Sequence, residues 1–440
     1  MSDITIEGNI PLHGEVSISG AKNSAIKLMF AAMFSNEDVV LENVPNTYAI
    51  NGDIDIIKSI GARAEWIGHN RLLLNGSKIS SYEVPYEVGS RFRTTLLLAG
   101  PLLFRFGRAK LPRIGLTSFK PSPINRLVTT WESLGINVEI TDTHINLSSE
   151  TMHASNVSFR TTSHMGTDNA ILSSIFLEGD SIINNASEEP EIEDLLEFCK
   201  MLGAGVTRLE PRKIKITGTK IFRGGNFTVQ SDKIEPVIYS TSALMTNGNI
   251  IIKKIYRESM VQFINFLTKI GANYELHGEE LKIWRNNETF NPTNLTVVPS
   301  PGFISDWQPY ATLLLTQAKG KSLVHDTVYV DRFEYVQDLN RMGADIELVK
   351  PSSENIIPVL SDDSYDFDVL GEPTTLARIQ GVSPLKGRKL QITDSRITPF
   401  FVVLGLSAEG KTDLVDYDSR YEGYEELLGK LENLGARFYS

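Results

Sequence analysis

Cysteine is nearly absent, with Cys199 the one copy in 440 residues. No intrachain disulfide can form, and a structural zinc held by two or more thiolates is excluded. A reducing compartment fits this usage. Long apolar runs are missing as well: stretches such as 96–104 and 399–406 fall far short of the ~20 residues that a membrane span requires. No basic segment followed by an apolar one opens the chain, so no secretory signal is expected, and a cytoplasmic protein without a membrane partner is. Positive charge is not in excess either, since 43 Lys and Arg stand against 54 Asp and Glu, a net charge of −11. That disfavours a protein that wraps nucleic acid by bulk electrostatics, while leaving room for a local basic pocket that holds a small anion. What is present, 41% hydrophobic and 22% charged residues, is the composition of a folded chain rather than a disordered one. At roughly 150 residues per domain, the length suggests two or three domains.

A recurring tail organises the chain. A helical stretch ends in an apolar residue, a glycine and a small or apolar residue, and an alternating segment follows. The glycines are Gly61, Gly135, Gly203, Gly271, Gly343 and Gly435, spaced 74, 68, 68, 72 and 92 residues apart. Glycine here is what a helix C-terminus takes when the next residue must adopt positive φ. The residues that follow, as in Ala272-Asn273-Tyr274-Glu275-Leu276, alternate like a strand with one buried face. Between these tails lies a second marker, an apolar helix closing in a polar turn, as in Phe176-Leu177-Glu178-Gly179 and Ser407-Ala408-Glu409-Gly410. A spacing near 70 exceeds that of solenoid repeats, which run about 20–50 residues. Six small α/β units, grouped three and three into two domains, fit the length.

The residues with chemical potential sit at strand-to-helix junctions. Ser19-Gly20-Ala21-Lys22-Asn23-Ser24 opens an apolar helix at 25–33, and a lysine beside helix N–H groups suits an anion. Arg91 and Arg93 in Ser90-Arg91-Phe92-Arg93-Thr94-Thr95 precede the helix expected at 96–104, a poor place for cations unless an anion binds there. The stretch 110–120 is basic and punctuated by Pro112, Gly115 and Pro121, with Arg113 and Lys120, as in a loop that closes over a ligand. Asp306, in Ser305-Asp306-Trp307-Gln308, reads equally as a helix N-cap or as a general base. Asp394-Ser395-Arg396 and Arg420 occupy similar junctions near the C-terminus. An interdomain cleft is the expected meeting place of these groups.

As a set these motifs resemble the enolpyruvyl transferase family along essentially the whole chain. The matching stretches are Gly20-Ala21-Lys22-Asn23, Phe92-Arg93-Thr94-Thr95, Gly100-Pro101-Leu102, Arg105-Phe106-Gly107, Glu189-Pro190-Glu191-Ile192, Ser305-Asp306-Trp307-Gln308, Arg332-Phe333, Asp394-Ser395-Arg396 and Gly423-Tyr424-Glu425. The resemblance implies two inside-out α/β barrels of three repeats each, with domains at 22–230 and at 1–21 plus 231–440. It implies transfer of the enolpyruvyl group of phosphoenolpyruvate to a hydroxyl of UDP-N-acetylglucosamine, with release of phosphate, as in the commitment of sugar nucleotides to peptidoglycan. Both substrates are small molecules, and no metal or organic cofactor is expected. Carried over by motif, Lys22, Arg93 and Arg396 hold the substrate anions, joined by Lys120 and Arg420, and Asn23 lies beside the acceptor. Ser163 and Gly166 contact the nucleotide diphosphate. Asp306 deprotonates the acceptor hydroxyl, Lys22 is the candidate acid, and domain closure over the intermediate is expected.

Four departures from the family pattern bear on the chemistry. Gly115 stands where the family has a loop cysteine, the residue that fosfomycin alkylates, so insensitivity to that epoxide is expected. Lys120 replaces an arginine, which keeps the charge but loses the bidentate fork. Glu422 replaces another, with Arg420 two residues away. Ser163-His164-Met165-Gly166-Thr167 replaces the usual Ser-Val-Gly-Ala-Thr that holds the uridine diphosphate. Three readings follow: the transferase acting on UDP-N-acetylglucosamine, the same chemistry on another acceptor such as a nucleotide in specialised metabolism, and a binding paralogue without turnover.

Overall fold

The computed structural model describes residues 2–113, 124–286, 288–362, 365–392, 397–418 and 423–439. The chain divides into two compact units, Gly20–Gln230 and a second built from Met1–Ser19 with Ser231–Ser440. Each unit carries three small sheets around its own apolar core, five of the six sheets mixed and one antiparallel.

One local pattern repeats six times. A strand leads to an outer helix, and the helix leads to a hairpin whose second strand returns antiparallel to the first. In one copy these are Asn249–Lys253, Val261–Ile270, Asn273–His277 and Glu280–Trp284. In five of the sheets a further strand from elsewhere in the unit adds parallel to the first strand, as His13–Ser17 does here. The sheet of Arg108–Pro112 has three strands, and a single parallel bridge between Glu83 and Lys110 stands at that edge. The last copy closes across the whole chain, since Ser2–Glu7 pairs with both Lys411–Tyr417 and Arg437–Tyr439.

The six tail glycines mark the six helix-to-hairpin joints. Gly61, Gly135, Gly203, Gly271, Gly343 and Gly435 have φ of 96°, 73°, 110°, 73°, 114° and 104°. A side chain is strained in that left-handed region, so glycine ends the helix and turns the chain into the hairpin at low cost. The outer helices are amphipathic, and Val261–Ile270 buries Phe263, Phe266, Leu267 and Ile270 along one stripe.

The second marker belongs to another class of helix, buried on every side. Every residue of Glu235–Met245, Gln308–Leu315 and Thr398–Ser407 is buried, as are Ser24–Ala31 and Gly166–Ser174 of the helices Lys22–Ala31 and His164–Ser174. These helices fill the centre of each unit while the sheets and amphipathic helices surround them, which is the inside-out arrangement. Some hydroxyls inside them bond back along the helix, Ser242 Oγ to Ile238 O at 2.8 Å and Ser407 Oγ to Val403 O at 2.6 Å, whereas those of Ser173, Ser174, Ser240 and Thr241 are buried with no hydrogen-bond partner among the described residues.

Several family motifs are explained by this packing. An added Cβ on Gly100 would lie 2.3 Å from the Leu172 carbonyl oxygen, so Gly100 lets two central helices touch backbone to backbone. Arg105 donates to the Met33 carbonyl at 3.0 and 2.8 Å, capping the chain end that follows Lys22–Ala31. The helix expected at 96–104 begins earlier and differently, as a 3-10 segment Arg93–Leu98 continued by the helix Ala99–Phe106. Among the described residues no helix is long and apolar enough to cross a membrane.

Gly100→Ala is expected to destabilise the protein by roughly 1–3 kcal/mol, because backbone rather than a flexible side chain blocks the new methyl. Denaturant unfolding measures it, and an unchanged midpoint would mean the helix contact is looser than described.

Candidate active site

Within Gly20–Gln230, the start of Lys22–Ala31 is set by a close approach. An added Cβ on Gly20 would lie 1.7 Å from the Asn43 carbonyl oxygen, and Ala21 N–H donates to the Gln230 carbonyl at 2.7 Å. The turn is thereby pinned between two strand ends, and Lys22 and Asn23 emerge half-buried at the first positions of the helix. Among the described residues no side chain caps this helix, and no acidic residue occupies its first turn. A lysine at the positive end of an uncapped helix is electrostatically unfavourable by itself and favourable with an anion present.

Arg93 starts the 3-10 segment, exposed, again with no side-chain cap among the described residues and no acid in the first turn. The expected pair of arginines is split, because Arg91 falls in the turn before the segment. Asp53, on the helix Tyr48–Ser59, relates Arg93 to Lys22. It is 0% exposed, its Oδ1 accepts from Thr94 Oγ1 at 2.6 Å, and the field of Lys22 acts on it. Burial raises its pKa to about 7 against the opposing effects of Thr94 and Lys22. Gly52 permits the approach, since a Cβ there would lie 2.2 Å from the Phe92 ring. Asp53 is not among the residues that sequence reasoning singles out. It looks like one more polar residue on an amphipathic helix, and its spacing in the chain holds no signal.

Ser163 and Gly166 lie at the start of His164–Ser174, where Ser163 Oγ accepts from Gly166 N–H at 3.1 Å and acts as the N-cap. An added Cβ on Gly166 would stand 3.0 Å from that hydroxyl, so the glycine keeps the cap tight. This helix is tied to Lys22–Ala31 by Lys27, which hydrogen-bonds His164 Nε2 and pairs with Asp168 at 3.1 Å. Burial raises the Asp168 pKa to about 6, with Lys27 opposing. Lys22, Asn23, Arg93, Ser163 and Gly166 thus sit at three helix starts connected through Asp53, Thr94, Lys27 and His164.

In the other unit, Asp306 lies in the 3-10 turn Ser305–Trp307 before Gln308–Leu315. Of the two roles that its position allows, the N-cap is not the one adopted: among the described residues neither segment has a side-chain cap. Asp306 is exposed, and its Oδ1 accepts from the guanidinium of Arg332, whose side chain is 17% exposed. Asp326 does the structural work nearby, accepting from Ser305 Oγ at 2.6 Å and from Val328 N–H at 2.8 Å. Tyr310 and Tyr424 face the same acidic region. Desolvation raises both phenols, and the fields of Asp306 and Asp232 add to it. Glu235, fully buried, is held by Lys430 at 3.0 Å and by Ser19 N–H at 2.7 Å, and burial moves its pKa to about 7. Gly115, Lys120, Asp394, Arg396, Arg420 and Glu422 lie outside the described residues.

Comparison with known proteins gives one consistent answer. The sequence model of the EPSP synthase (3-phosphoshikimate 1-carboxyvinyltransferase) family matches residues 6–431. UDP-N-acetylglucosamine 1-carboxyvinyltransferase 1 of Caldanaerobacter subterraneus is 31% identical over 434 residues, 99% of this chain and 98% of the relative. UDP-N-acetylglucosamine 1-carboxyvinyltransferase 2 of Carboxydothermus hydrogenoformans is 32% identical over 438 residues, covering 99% of each. Among solved structures, the enolpyruvyl transferase NikO from Streptomyces tendae superposes with a TM-score of 0.86 at 21% identity, over 99% of this chain and 98% of its own. EPSP synthase from Acinetobacter baumannii gives 0.74 at 16% identity over the full length of both. The chain therefore belongs to the EPSP synthase family, that of the enolpyruvyl (carboxyvinyl) transferases.

Proposed function

We propose that the protein transfers the enolpyruvyl group of phosphoenolpyruvate to a hydroxyl of UDP-N-acetylglucosamine and releases phosphate, in the cytoplasm, at the entry to peptidoglycan precursor synthesis. The observation that carries this reading is identity of about 30% to transferases of that name, over 99% of this chain. The chemistry requires cations for the phosphate and carboxylate, a base for the hydroxyl and an acid for C3. The acceptor oxygen attacks C2 of phosphoenolpyruvate as a proton is added at C3. The C2–O bond to phosphate then breaks as a C3 proton leaves, restoring the double bond in the product.

In this reading Lys22 and Arg93 hold the anionic substrate, and Arg396, Lys120 and Arg420 add positive charge. Lys22 also delivers the proton to C3, the part proposed in the UDP-N-acetylglucosamine transferases for a loop cysteine, in whose place this chain has Gly115. Asn23 contacts the acceptor, and Ser163 and Gly166 present their helix start to the diphosphate. Asp306 takes the proton of the acceptor hydroxyl. Its pairing with Arg332 orients the carboxylate through Oδ1, and its exposure lets a substrate reach it. That Asp306 does not cap Gln308–Leu315 supports a chemical rather than a structural reason for it.

A second acceptor is favoured by one observation. His164, in the segment that departs from the family pattern, is engaged by the buried Lys27, so this helix start differs chemically from a valine-bearing one. An acceptor screen scored by phosphate release decides between them. Release with UDP-N-acetylglucosamine alone supports the main reading, whereas release only with a different nucleotide replaces it.

Asp306→Asn is expected to lower turnover by roughly 10²–10⁴ with an unchanged melting temperature. A variant that turns over at nearly the full rate would remove Asp306 from the mechanism. Lys22→Met should abolish both turnover and binding of anionic substrate, while Lys22→Arg should bind and fail to turn over, because a guanidinium keeps its proton near neutral pH. Turnover of Lys22→Arg near that of the unmodified protein would exclude Lys22 as the acid.

The active enzyme is also expected to resist covalent inactivation by fosfomycin. Its one thiol, Cys199, is 0% exposed in Pro190–Leu202, and burial pushes it far from the thiolate. Preincubation with drug and acceptor, followed by activity and intact mass, measures this. Time-dependent loss with a one-drug mass increase would show that another nucleophile serves in the cysteine's place.

A further inference from the structure

Asp53 stands out among the buried ionisable groups. Lys27 and Asp168 satisfy each other's charge, and Glu235 has Lys430 and the Ser19 N–H. Asp53 has one hydrogen bond, from Thr94 to Oδ1, while Oδ2 is buried with no hydrogen-bond partner among the described residues. A fully buried carboxylate oxygen without a donor is costly in its ionised form. Its surroundings fit a group that is charged part of the time. The helix Tyr48–Ser59 packs against Lys22–Ala31, Arg93–Leu98, Tyr86–Gly89 and Arg63–Gly68. The ionisable side chains on those elements are Lys22 and Lys27, Arg93, Tyr86 and Glu87, and Arg63 and Glu65, with Tyr48, Asp55 and Lys58 on its own helix. Lys27 is paired with Asp168 and Arg63 with Glu65. The charge whose field acts on Asp53 is that of Lys22.

We propose that Asp53 is a positioning residue for Lys22 that couples anion binding to proton uptake. With the anion subsite empty, the ionised carboxylate is the counter-charge of the Lys22 ammonium and holds it beside the 3-10 segment that carries Arg93. When an anion takes Lys22 as its partner, Asp53 loses that stabilisation in a dry site, takes one proton from solvent, and becomes a neutral acid still hydrogen-bonded to Thr94. This rests on the reading of Lys22 and Arg93 as the anion subsite, and it assigns to that site a proton count that the transfer chemistry does not by itself require.

The sign follows from the two states. Burial places the empty-site pKa near 7. An anion nearby raises it further, because negative charge disfavours the carboxylate. Anion affinity must then fall as pH rises through 7, by at most tenfold per pH unit for one proton.

Sulfate is the probe, because it keeps its charge throughout this range while phosphoenolpyruvate titrates. Calorimetry on the full chain at about pH 8, in two buffers of different ionisation enthalpy, should show uptake approaching one proton per sulfate, with affinity falling roughly tenfold from about pH 6.5 to about pH 8.5. Asp53→Asn keeps an acceptor for Thr94 and cannot ionise. It should bind sulfate with no proton uptake, a flat pH profile and higher affinity at the alkaline end. A merely structural Asp53 would leave the proton count unaltered. Sulfate binding that takes up no proton in the unmodified protein overturns the proposal, as does uptake that persists in Asp53→Asn. The proton count of the unmodified protein decides the matter even if the variant fails to fold. Absence of sulfate binding, or binding that survives Lys22→Met, overturns the anion-subsite reading itself, and the two failures are told apart by whether sulfate binds through Lys22.

Discussion

Helices buried around their whole circumference are the constraint on which this structure depends. Thr398–Ser407 reads Thr-Pro-Phe-Phe-Val-Val-Leu-Gly-Leu-Ser, with no face that water could wet. Such a helix is stable only if other elements cover it on every side. The surrounding sheets and amphipathic helices do this for Lys22–Ala31 and His164–Ser174 in one unit and for Glu235–Met245, Gln308–Leu315 and Thr398–Ser407 in the other. Small residues set how closely the central helices approach their neighbours, as Gly100 does against Leu172 of another helix and Gly405 against Ile6 of the strand Ser2–Glu7. A helix covered along its length can offer chemistry only at its ends, and the start of Lys22–Ala31, which bears Lys22 and Asn23, is such an end.

Several charged groups admitted into this interior are held in pairs. Lys27 and Asp168 are each about 4% exposed at the side chain and neutralise one another at 3.1 Å. Lys430 reaches both Ser19 Oγ and Glu235, joining the segment just after the strand His13–Ser17 to a helix more than two hundred residues later. A buried pair of this kind adds little net stability, but removal of one partner strands the other charge. The pairs therefore act as register pins between helices. Asp168 Oδ1, which has no hydrogen-bond donor among the described residues, still faces the Lys27 ammonium at 3.1 Å, whereas Asp53 Oδ2 is a buried oxygen without a donor next to the groups on which the anion chemistry is proposed to depend. Incomplete satisfaction in a closely packed interior is what allows a group to change its proton with its surroundings.

Part of the site is legible in the sequence because its signal is local. A glycine that permits close approach, followed by a lysine at a helix start, can be read from Gly20-Ala21-Lys22-Asn23, and the Asn43 carbonyl against Gly20 supplies the reason. Asp306 stays between two roles at the level of sequence because cap and base share a position. Its three-dimensional partner, Arg332, lies 26 residues away and cannot be found from spacing. Asp53 is illegible for the same reason: Thr94 is 41 residues distant, and a buried aspartate on an amphipathic helix looks like any solvent-facing one. The 3-10 form of Arg93–Leu98 is equally hidden, since apolar periodicity cannot distinguish it from an α-turn over so short a stretch.

The sequence by itself determined the repeat. The six tail glycines each fall where φ must be positive, and that requirement is a property of one residue and its two dihedrals, independent of what packs against it. Tertiary structure alone decided how the ends of the chain close, since the pairing of Ser2–Glu7 with Arg437–Tyr439 joins segments that no local preference relates. It alone decided which charges became partners, because Coulomb energy and desolvation depend on distance and burial, and neither is written in the order of residues.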